Sequence, residues 1–166
     1  MFNTLEMTGI TRNGFGQHNP LADRYEASAA FESALRRGKA RALRQKLLGR
    51  AGGLRHLPRV DATARRPTHE AGIVNVPLSQ IIGSEGRAGD FDSDFNPLND
   101  RTRDRWINIA TARRGGVALP PVELIQAADG YYVRDGHHRI SVARAAGQTT
   151  IESRIAHVLT NRSDGV

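Results

Sequence analysis

Apolar positions recur at helical spacing early in the chain and at strand spacing in its second half. Between residues 21 and 49, small and apolar side chains repeat every three or four positions, which predicts an amphipathic helix. Gly38 lies in the middle of this pattern, so one helix with a weak point and two shorter helices are both open. The apolar stripe of this helix would consist of Ala27, Ala30, Phe31, Ala34, Leu35, Gly38 and Ala42.

From residue 73 onward the pattern alternates between short strands and helices. The residues Ala128, Asp129 and Gly130 separate two β-rich runs and have the composition of a hairpin turn. This order of elements predicts an α+β fold, a small mixed sheet with packed helices, preceded by a basic α-helical N-terminal arm. The predicted strands are 73–78, 117–127, 131–134 and 150–158, and the predicted helices are 99–114 and 139–146.

Changes in composition indicate where the chain divides. The first residues and the stretch after the helical pattern mix Gly, Asn, Pro and Arg without any period, which is typical of flexible or linking segments. We therefore predict a flexible lead over 1–19, a basic helical arm over 20–57, a linker over 58–72, one globular domain over 73–160 and a tail over 161–166.

The positive charge of the chain is concentrated in its first part. Lys and Arg number 24 against 17 Asp and Glu, which gives a net charge of +7 over 166 residues. Residues 1–66 contain 13 basic and 5 acidic side chains, whereas residues 67–166 contain 11 and 12. The excess therefore belongs to the lead, arm and linker, and the predicted domain is close to neutral.

Composition also excludes several classes of function. The chain has no Cys, which excludes a disulfide scaffold, a cysteine zinc site and a thiol nucleophile. No apolar run approaches the roughly 18–20 residues that a membrane span requires, and the first residues lack the pattern of a signal peptide. We expect a cytoplasmic protein with no membrane span.

The basic arm has three candidate roles. Its cations can contact the phosphates of DNA without sequence specificity, or the helix can lie on an anionic membrane, although its Ala-rich stripe lacks the large anchors of such helices. Alternatively, the stripe packs on the domain, or on a second copy to form a homodimer, and leaves the cations in solvent. The cations assigned to a nucleic-acid contact are Arg36, Arg37, Lys39, Arg41, Arg44 and Lys46.

The segment richest in reactive side chains is YYVRDGHHRISVARAAG, residues 131–147. Gly136 stands between the predicted strand and helix and allows a turn with positive φ. The free N–H groups of a helix start attract phosphate, and Arg139 can bind phosphate oxygens through two prongs. Asp135 could bind a metal, orient a histidine or act as a base. The plainer alternative is a turn in which Asp135 caps the helix and the histidines bond to the backbone.

An acidic loop precedes the first predicted helix of the domain. Asp90, Asp92 and Asp94 have the D-x-D-x-D spacing of a calcium loop but lack the Gly and Glu that complete it. We predict a solvated loop that caps the helix, with Phe91 and Phe95 fixing it to the core. If the loop folds over the DGHHR corner, one carboxylate could hold Mg²⁺ on a bound nucleotide.

The run GHHRISVARAAG, from Gly136 to Gly147, resembles the GERRxRAxxxAG motif of the ParB N-terminal and sulfiredoxin-like fold superfamily, which includes ParB-like nuclease domains. The glycines at both ends, the Arg at the fourth position and the final Ala-Gly agree. The runs 76–81 and 119–124 resemble the opening strand and the return strand of that family. The resemblance covers 73–158 and implies a ParB/sulfiredoxin-like fold.

The chain departs from two branches of this superfamily. Sulfiredoxins carry a Cys where His137 stands, so sulfinic-acid reduction is excluded. ParB partition proteins carry a second Arg where Ser141 stands, and only eight residues follow Val158. We therefore do not expect a full-length partition protein with its helix-turn-helix region.

The DGHHR spelling resembles more closely small bacterial-type members proposed as nucleotide-dependent kinases or phosphohydrolases. The resemblance implies a site for a phosphorylated ligand, in first place a nucleotide, and, for an enzyme, a Mg²⁺-dependent nucleotide hydrolase or small-molecule kinase. It matches Glu85 to the base of such kinases and Arg87 to an Arg of the same loop. The expected catalytic residues are Glu85, Asp135 and His137, and the expected phosphate-binding residues are Arg87, Gly136, His137, His138, Arg139 and Ser141.

Two alternatives of other classes stay open beside this hypothesis. The first is a DNA-associated binding protein without catalysis, in which the basic arm makes the contact. The second is a structural or protein-interaction module that keeps the fold and binds no ligand. Mg²⁺ that arrives with a nucleotide is the one cofactor expected, and no residues are assigned to a metal site of the chain's own.

Overall fold

The computed structural model describes residues 19–50, 53–57, 65–67 and 72–159. The predicted flexible lead apart from Asn19, the predicted tail, and the predicted linker apart from residues 65–67 and 72 lie outside these ranges. The domain boundaries inferred from composition therefore stay predictions.

Seven strands and three α-helices form within the described ranges. Helix α1 extends over Pro20–Leu47, α2 over Arg103–Arg114 and α3 over His137–Ala145. Short 3-10 turns occupy Leu78–Gln80 and Asp100–Thr102. In this part of the chain no helix is both long enough and apolar enough to cross a membrane. The strands are β1 (Arg55–His56), β2 (Arg65–Pro67), β3 (Val74–Pro77), β4 (Ile81–Ser84), β5 (Val122–Ala127), β6 (Gly130–Asp135) and β7 (Thr150–Leu159).

All seven strands belong to one mixed sheet in the order β1-β4-β6-β5-β7-β2, and β3 also pairs with β7. Strand β4 is parallel to β1 and β6, and β5 is parallel to β7. Strands β5 and β6 form an antiparallel hairpin closed by Ala127 and Gly130, as the turn composition predicted. The predicted α+β architecture with an N-terminal helix is therefore confirmed.

Helix α1 is continuous, which decides between the two alternatives that Gly38 left open. Asn19 caps its start, because its side-chain oxygen accepts from the N–H groups of Leu21 and Ala22 at 3.1 and 3.3 Å. A Cβ atom at Gly38 would collide with the carbonyl oxygen of Pro97, so this glycine lets the helix approach the acidic loop closely. The stripe residues buried on the domain are Ala27, Phe31, Ala34, Leu35 and Gly38.

Two apolar clusters share helix α3. One lies between α3, the sheet and the acidic loop, and it contains Phe91 and Phe95, which are fully buried as predicted. The other joins the three helices: the ring of Phe31 meets that of Trp106 edge-on at 5.6 Å, and Val142 belongs to the same cluster. Because α3 is packed on both sides, the position of its first turn is fixed.

The strand pattern differs from the prediction at four places, one of which is β4, a strand over Ile81–Ser84 where none is predicted. The strand predicted over 117–127 begins only at Val122, because Pro120 and Pro121 lack the N–H that a sheet ladder requires. Strand β1 lies in the predicted arm and β2 in the predicted linker, where the sequence shows no strand period. Both are only two or three residues long, and backbone pairing with β4 and β7 holds them in place.

The acidic loop folds against α1. Asp92 is fully buried, and its carboxylate accepts from the backbone N–H groups of Asp94 and Asn96 at 2.9 and 2.8 Å. Asp94 forms an ion pair with Arg41 of α1. The prediction of a solvated loop is therefore wrong at Asp92, because these donors replace the water that a buried carboxylate loses.

Candidate functional site

The tightest turn near the predicted site lies where β6 ends and α3 begins. Gly136 has φ 100° and ψ 19°, a left-handed conformation that other residues rarely adopt. A Cβ atom at this position would also lie 2.5 Å from Cγ1 of Val122. Glycine is therefore required here, and the positive φ predicted for Gly136 is confirmed.

No side chain caps the start of α3, a helix of nine residues. The first N–H groups of an α-helix lack partners inside the helix, and here they belong to His137, His138 and Arg139. They also carry the positive end of the helix dipole. The alternative in which Asp135 caps the helix is therefore wrong, and the start of α3 can accept an anion from outside.

A small pocket of about 60 Å³ opens at this helix start. It gathers arginines from α2, β6, α3 and the loop after β4, so four separate parts of the chain bring positive charge to one place. It also contains every expected phosphate-binding residue except Ser141. The lining residues are Arg87, Arg105, Ile109, Arg134, Asp135, Gly136, His137, His138 and Arg139.

The guanidinium of Arg139 is already engaged within the protein. Its Nη1 donates to the carbonyl oxygens of Pro120 and Pro121 at 2.5 and 2.7 Å. Its Nη2 donates to Oδ2 of Asp135, the last residue of β6, at 2.5 Å. The side chain therefore ties α3 to the segment before β5, and its backbone N–H is the part that faces an anion at the helix start.

His137 holds the loop that follows β4. Oγ of Ser84 lies 2.7 Å from Nε2 of His137 and accepts from the backbone N–H groups of Gly86 and Arg87 at 3.2 and 2.9 Å. Since these two donors occupy both lone pairs of the hydroxyl oxygen, its proton is donated to Nε2. Burial lowers the pKa of His137 to about 4, and the charge of Arg87 acts in the same direction.

His138 combines burial with an unused polar atom. The residue is 6% exposed, and its Nε2 has no hydrogen-bond partner among the described residues. Its ring meets that of Phe91 edge-on at 5.4 Å. Burial lowers the pKa of His138 to about 4, with the charges of Arg105 and Arg87 as further causes. Both histidines are therefore neutral at pH 7.

The expected catalytic carboxylates lie at the same end of the sheet in different settings. The side chain of Asp135 is 57% exposed and lines the pocket, bonded to Arg139. Glu85 is half-buried outside the pocket lining, with its Oε2 3.9 Å from Nε of Arg134. Its backbone N–H donates to the carbonyl oxygen of Val133 at 3.0 Å. Asp135 is therefore the carboxylate nearer to an anion at the helix start.

Ser141 lies away from the pocket. Its hydroxyl oxygen accepts from Nε1 of Trp106 at 2.9 Å, and the residue is fully enclosed between α2 and α3. This bond satisfies the indole N–H inside the helical cluster, which a buried Trp requires. The structure thus brings together the residues of the DGHHR run and leaves Ser141 in the core.

Three residues of the corner were missed by sequence reasoning. Arg134 directly precedes the DGHHR run, but strand alternation gives no signal for it, because Tyr132 and Val133 are both buried and Arg134 and Asp135 are both exposed. Ser84 is the last residue of β4, next to Glu85, but no local pattern shows its bond to a residue more than fifty positions away. Arg105 has no signal at all, because only the packing of α2 on α3 brings it to the pocket.

The six cations of α1 that were assigned to a nucleic-acid contact fall into two sets of equal size. Arg37 donates to Asn96, Lys39 lies 3.7 Å from Asp100, and Arg41 pairs with Asp94, so these three are turned toward the acidic loop. The other three are exposed and form no ion pair with the described residues. They are Arg36, Arg44 and Lys46.

The described residues contain no group of three His, Asp or Glu side chains placed to hold a metal ion. Two larger cavities, of about 700 and 760 Å³, lie on either side of Arg144. The guanidinium of Arg144 donates to the carbonyl oxygens of Leu78 and Ile81 at 2.6 and 3.1 Å and stacks over Phe95. Each of these cavities is lined by two arginines, whereas the pocket at the start of α3 is lined by four.

Comparison with known proteins identifies no family for the chain. No family model and no curated protein matches the chain. Among solved structures, it is similar to the crystal structure of sulfiredoxin from Arabidopsis thaliana, with 23% identity and a TM-score of 0.36. The match covers 51% of this chain and 83% of that chain. A likeness at this level transfers no residue role, so function has to follow from the chain's own geometry.

Proposed function

We propose that the corner at the start of α3 binds the phosphoryl group of a phosphorylated ligand. The leading candidate for this ligand is a nucleotide. The observation that carries this proposal is the convergence of an uncapped helix start with Arg87, Arg105 and Arg134 in one pocket. Backbone N–H groups at a helix start and arginine side chains are the donors that phosphate oxygens prefer.

The residues of the corner have different roles in binding the ligand. The N–H groups of His137, His138 and Arg139 bind oxygens of the ligand, and Arg87 and Arg105 neutralise its charge. The side chain of Arg139 positions the helix start through the carbonyls before β5. The unpartnered Nε2 of His138 supports the proposal, because a buried polar atom without a partner is costly and a bound ligand would relieve that cost.

The size of the pocket limits what enters it. Small-molecule sites usually measure roughly 300–1,000 Å³, and this pocket measures about 60 Å³. A single phosphoryl group fits such a volume, whereas a sugar and a base do not. The remainder of a nucleotide would therefore lie on the surface around the pocket, and phosphate contacts would dominate the affinity.

A reaction at this site would be phosphoryl transfer. Asp135 would take the proton of the attacking water or acceptor hydroxyl while the bond between the terminal phosphorus and its leaving oxygen breaks. The helix start and Arg105 would stabilise the charge that develops on the phosphoryl oxygens. Mg²⁺ arriving with the nucleotide would be held mainly by the nucleotide's own phosphates and by water, as Mg²⁺ in nucleotide sites usually is.

Calorimetric titration tests the binding function. Phosphate, pyrophosphate, ADP, ATP and CTP are titrated into the protein with and without Mg²⁺. Arg105→Ala is expected to weaken binding by about tenfold or more, since one charge-assisted contact contributes roughly 1.5–3 kcal/mol. The matched control is Arg44→Ala on α1, which removes an equal charge far from the corner. Absence of binding by every ligand, or equal effects of the two variants, would overturn the proposal.

Hydrolysis is tested separately on any nucleotide that binds. Asp135→Asn keeps the shape of the side chain but removes its basic oxygen. We expect the rate of phosphate release to fall by about 100-fold or more, as for loss of a general base. Nucleotide affinity should change much less than the rate. An unchanged rate would exclude Asp135 as the base, and Glu85→Gln would then be measured in the same way.

DNA binding through α1 is the second candidate function. It is favoured by the three exposed cations that form no ion pair with described residues: Arg36, Arg44 and Lys46. Binding to duplex DNA is measured over a salt series for the wild type and for the triple Gln variant. If all three contact phosphates, the log–log slope falls by roughly 0.9 per contact. An unchanged slope excludes the arm as an electrostatic contact.

A further inference from the structure

Helix α1 has a second apolar stripe on the face turned away from the domain. Leu21, Tyr25, Leu43 and Leu47 are 80, 78, 61 and 78% exposed. Single exposed apolar residues are common, but a set at helical spacing along one helix is typical of a contact surface. We call these four residues the outer stripe.

The outer stripe lies opposite the buried one. At about 100° per residue, its four positions fall within a sector of roughly 80°, centred roughly 135° from the centre of the five buried positions of α1. Between its two apolar ends the same face carries Glu32, Arg36 and Lys39, and Lys39 is turned toward Asp100 at 3.7 Å. The stripe extends over about 39 Å at ~1.5 Å per residue, long enough to contact a second helix along its whole length.

The order of residues along this face is self-complementary. Suppose that a second α1 lies antiparallel to the first, with Leu47 opposite Leu21. Leu43 is then opposite Tyr25, because Leu43 lies four residues before Leu47 and Tyr25 lies four residues after Leu21. Moving inward by another seven residues places Arg36 opposite Glu32. The antiparallel arrangement therefore aligns apolar ends with apolar ends and a cation with a carboxylate, twice each by the two-fold symmetry.

We propose that this face of α1 binds a second copy of the chain through an antiparallel pairing of the two outer stripes. A parallel pairing would place Arg36 against Arg36, with like charges opposed at the centre. A membrane surface would bury Glu32 and Arg36 together with the apolar ends. The antiparallel homodimer is the arrangement in which Glu32 and Arg36 both gain a partner of opposite sign.

Contacts inside the monomer are compatible with this dimer. Glu32 pairs with Arg103 and keeps 39% of its side chain exposed, so one of its oxygens is open to a second cation. Arg36 is exposed and forms no ion pair with described residues. None of the outer-stripe residues belongs to either apolar cluster of the domain, so their pairing disturbs no core contact.

The absence of Cys from the chain allows the register to be tested by disulfide trapping. Tyr25→Cys and Leu43→Cys are oxidised under native conditions, first separately and then as a mixture. The antiparallel pairing predicts a covalent dimer in the mixture and only background dimer in either variant alone. Val117→Cys, which is equally exposed but lies outside α1, gives that background in both settings.

Solution mass provides the second measurement on the full chain. We expect the wild type to sediment as a dimer at high micromolar concentration. Leu43→Glu with Leu47→Glu should raise the dissociation constant by at least about tenfold, since it buries charge in an apolar contact. Arg36→Glu should do the same by opposing two carboxylates, and Val117→Glu should not. Circular dichroism confirms that each variant keeps its helix content.

Each result decides for or against the dimer. Trapping in the mixture alone, with a dimeric wild type, supports the antiparallel pairing. Trapping of Tyr25→Cys by itself shows a parallel pairing and contradicts the register. A monomeric wild type with background trapping in all combinations overturns the proposal, and the outer stripe then serves another occupant. None of these results depends on phosphate binding at α3.

Discussion

Helices α1 and α3 begin in opposite ways. Asn19 closes the start of α1 with its own side chain, which accepts from two backbone N–H groups, and Pro20 removes a further donor. At the start of α3 the corresponding position is Gly136, which has no side chain to offer. The turn before the helical part of α2 is closed like α1, since Asn99 accepts from Arg101 at 3.2 Å.

The difference between the two helix starts determines where positive charge can bind an anion. A helix start that is capped by the chain itself has satisfied its donors, and the cations near it are of no special consequence. At α3 the donors are open, and arginines from other parts of the chain line the same pocket. The net charge of +7 suggests a general affinity for anions, whereas the open helix start gives that affinity a location.

Among substitutions at the open start of α3, the largest effect on stability is expected from Gly136→Ala. Positive φ costs a residue with a Cβ about 1–2 kcal/mol, and the contact with Val122 adds about 1–3 kcal/mol of overpacking. We expect the free energy of unfolding in urea to fall by about 2–5 kcal/mol. Gly86→Ala is the control, because a Cβ there meets nothing within 4 Å. Equal effects of the two substitutions would show that the turn is not constrained.

Acidification should destabilise the fold through His137 and His138, the buried histidines at the open start of α3. The pKa of His137 and of His138 is lowered from the ordinary value of 6.5 to about 4, so the unfolded chain binds their protons first. The stability that these rings contribute is complete above pH 6.5 and is lost as the pH falls toward 4. We expect a loss of roughly 3 kcal/mol for each ring across this range.

Urea unfolding at several pH values measures this loss. The double variant His137→Gln, His138→Gln lacks both titrating rings, so its stability should depend less on pH between 6.5 and 4. Asp and Glu residues contribute to the pH dependence of both proteins and cancel in the difference. Identical slopes in the two proteins would mean that the rings titrate alike in the folded and unfolded chain.

The closed start of α1 should respond moderately. Asn19→Ala removes the acceptor for two N–H groups, which typically costs about 1 kcal/mol. Asn19→Asp keeps the acceptor and places a negative charge at the positive end of the dipole, so it should restore or raise stability. Thermal unfolding of the three proteins provides the order. If Asn19→Ala has no effect, the cap contributes nothing to α1.

The smallest effect on stability is expected from Arg105→Ala. Arg105 is exposed and forms no ion pair with the described residues, so the free energy of unfolding should change by less than about 0.5 kcal/mol. Its substitution would still weaken phosphate binding. A residue that matters for the ligand and not for the fold marks the corner as a binding site, and a large loss of stability would identify Arg105 as structural.

Local patterns predicted the elements whose causes are local. The apolar period gave α1, the Ala128–Gly130 composition gave the hairpin, and Gly136 gave the left-handed turn. Strands β1 and β2 could not be predicted, because backbone pairing across the sheet, rather than side-chain pattern, holds them.

The central residues of the candidate site were predicted from the sequence, whereas residues at its edge were missed. The DGHHR run located the helix start, but the engagement of Arg139 by Pro120 and Pro121 arises from residues almost twenty positions earlier. The position of Arg105 depends on how α2 packs on α3. Long-range contacts of this kind decide which arginine is free, and no short motif records them.

Amide chemical shifts during titration with pyrophosphate test the central claim most directly. The claim is that the open start of α3 binds phosphoryl oxygens through its backbone. It predicts saturable shifts that are largest at the amides of His137, His138 and Arg139 and are strongly reduced in Arg105→Ala. Shifts that do not saturate, or that are largest along α1 at Arg36 and Arg44, would contradict it.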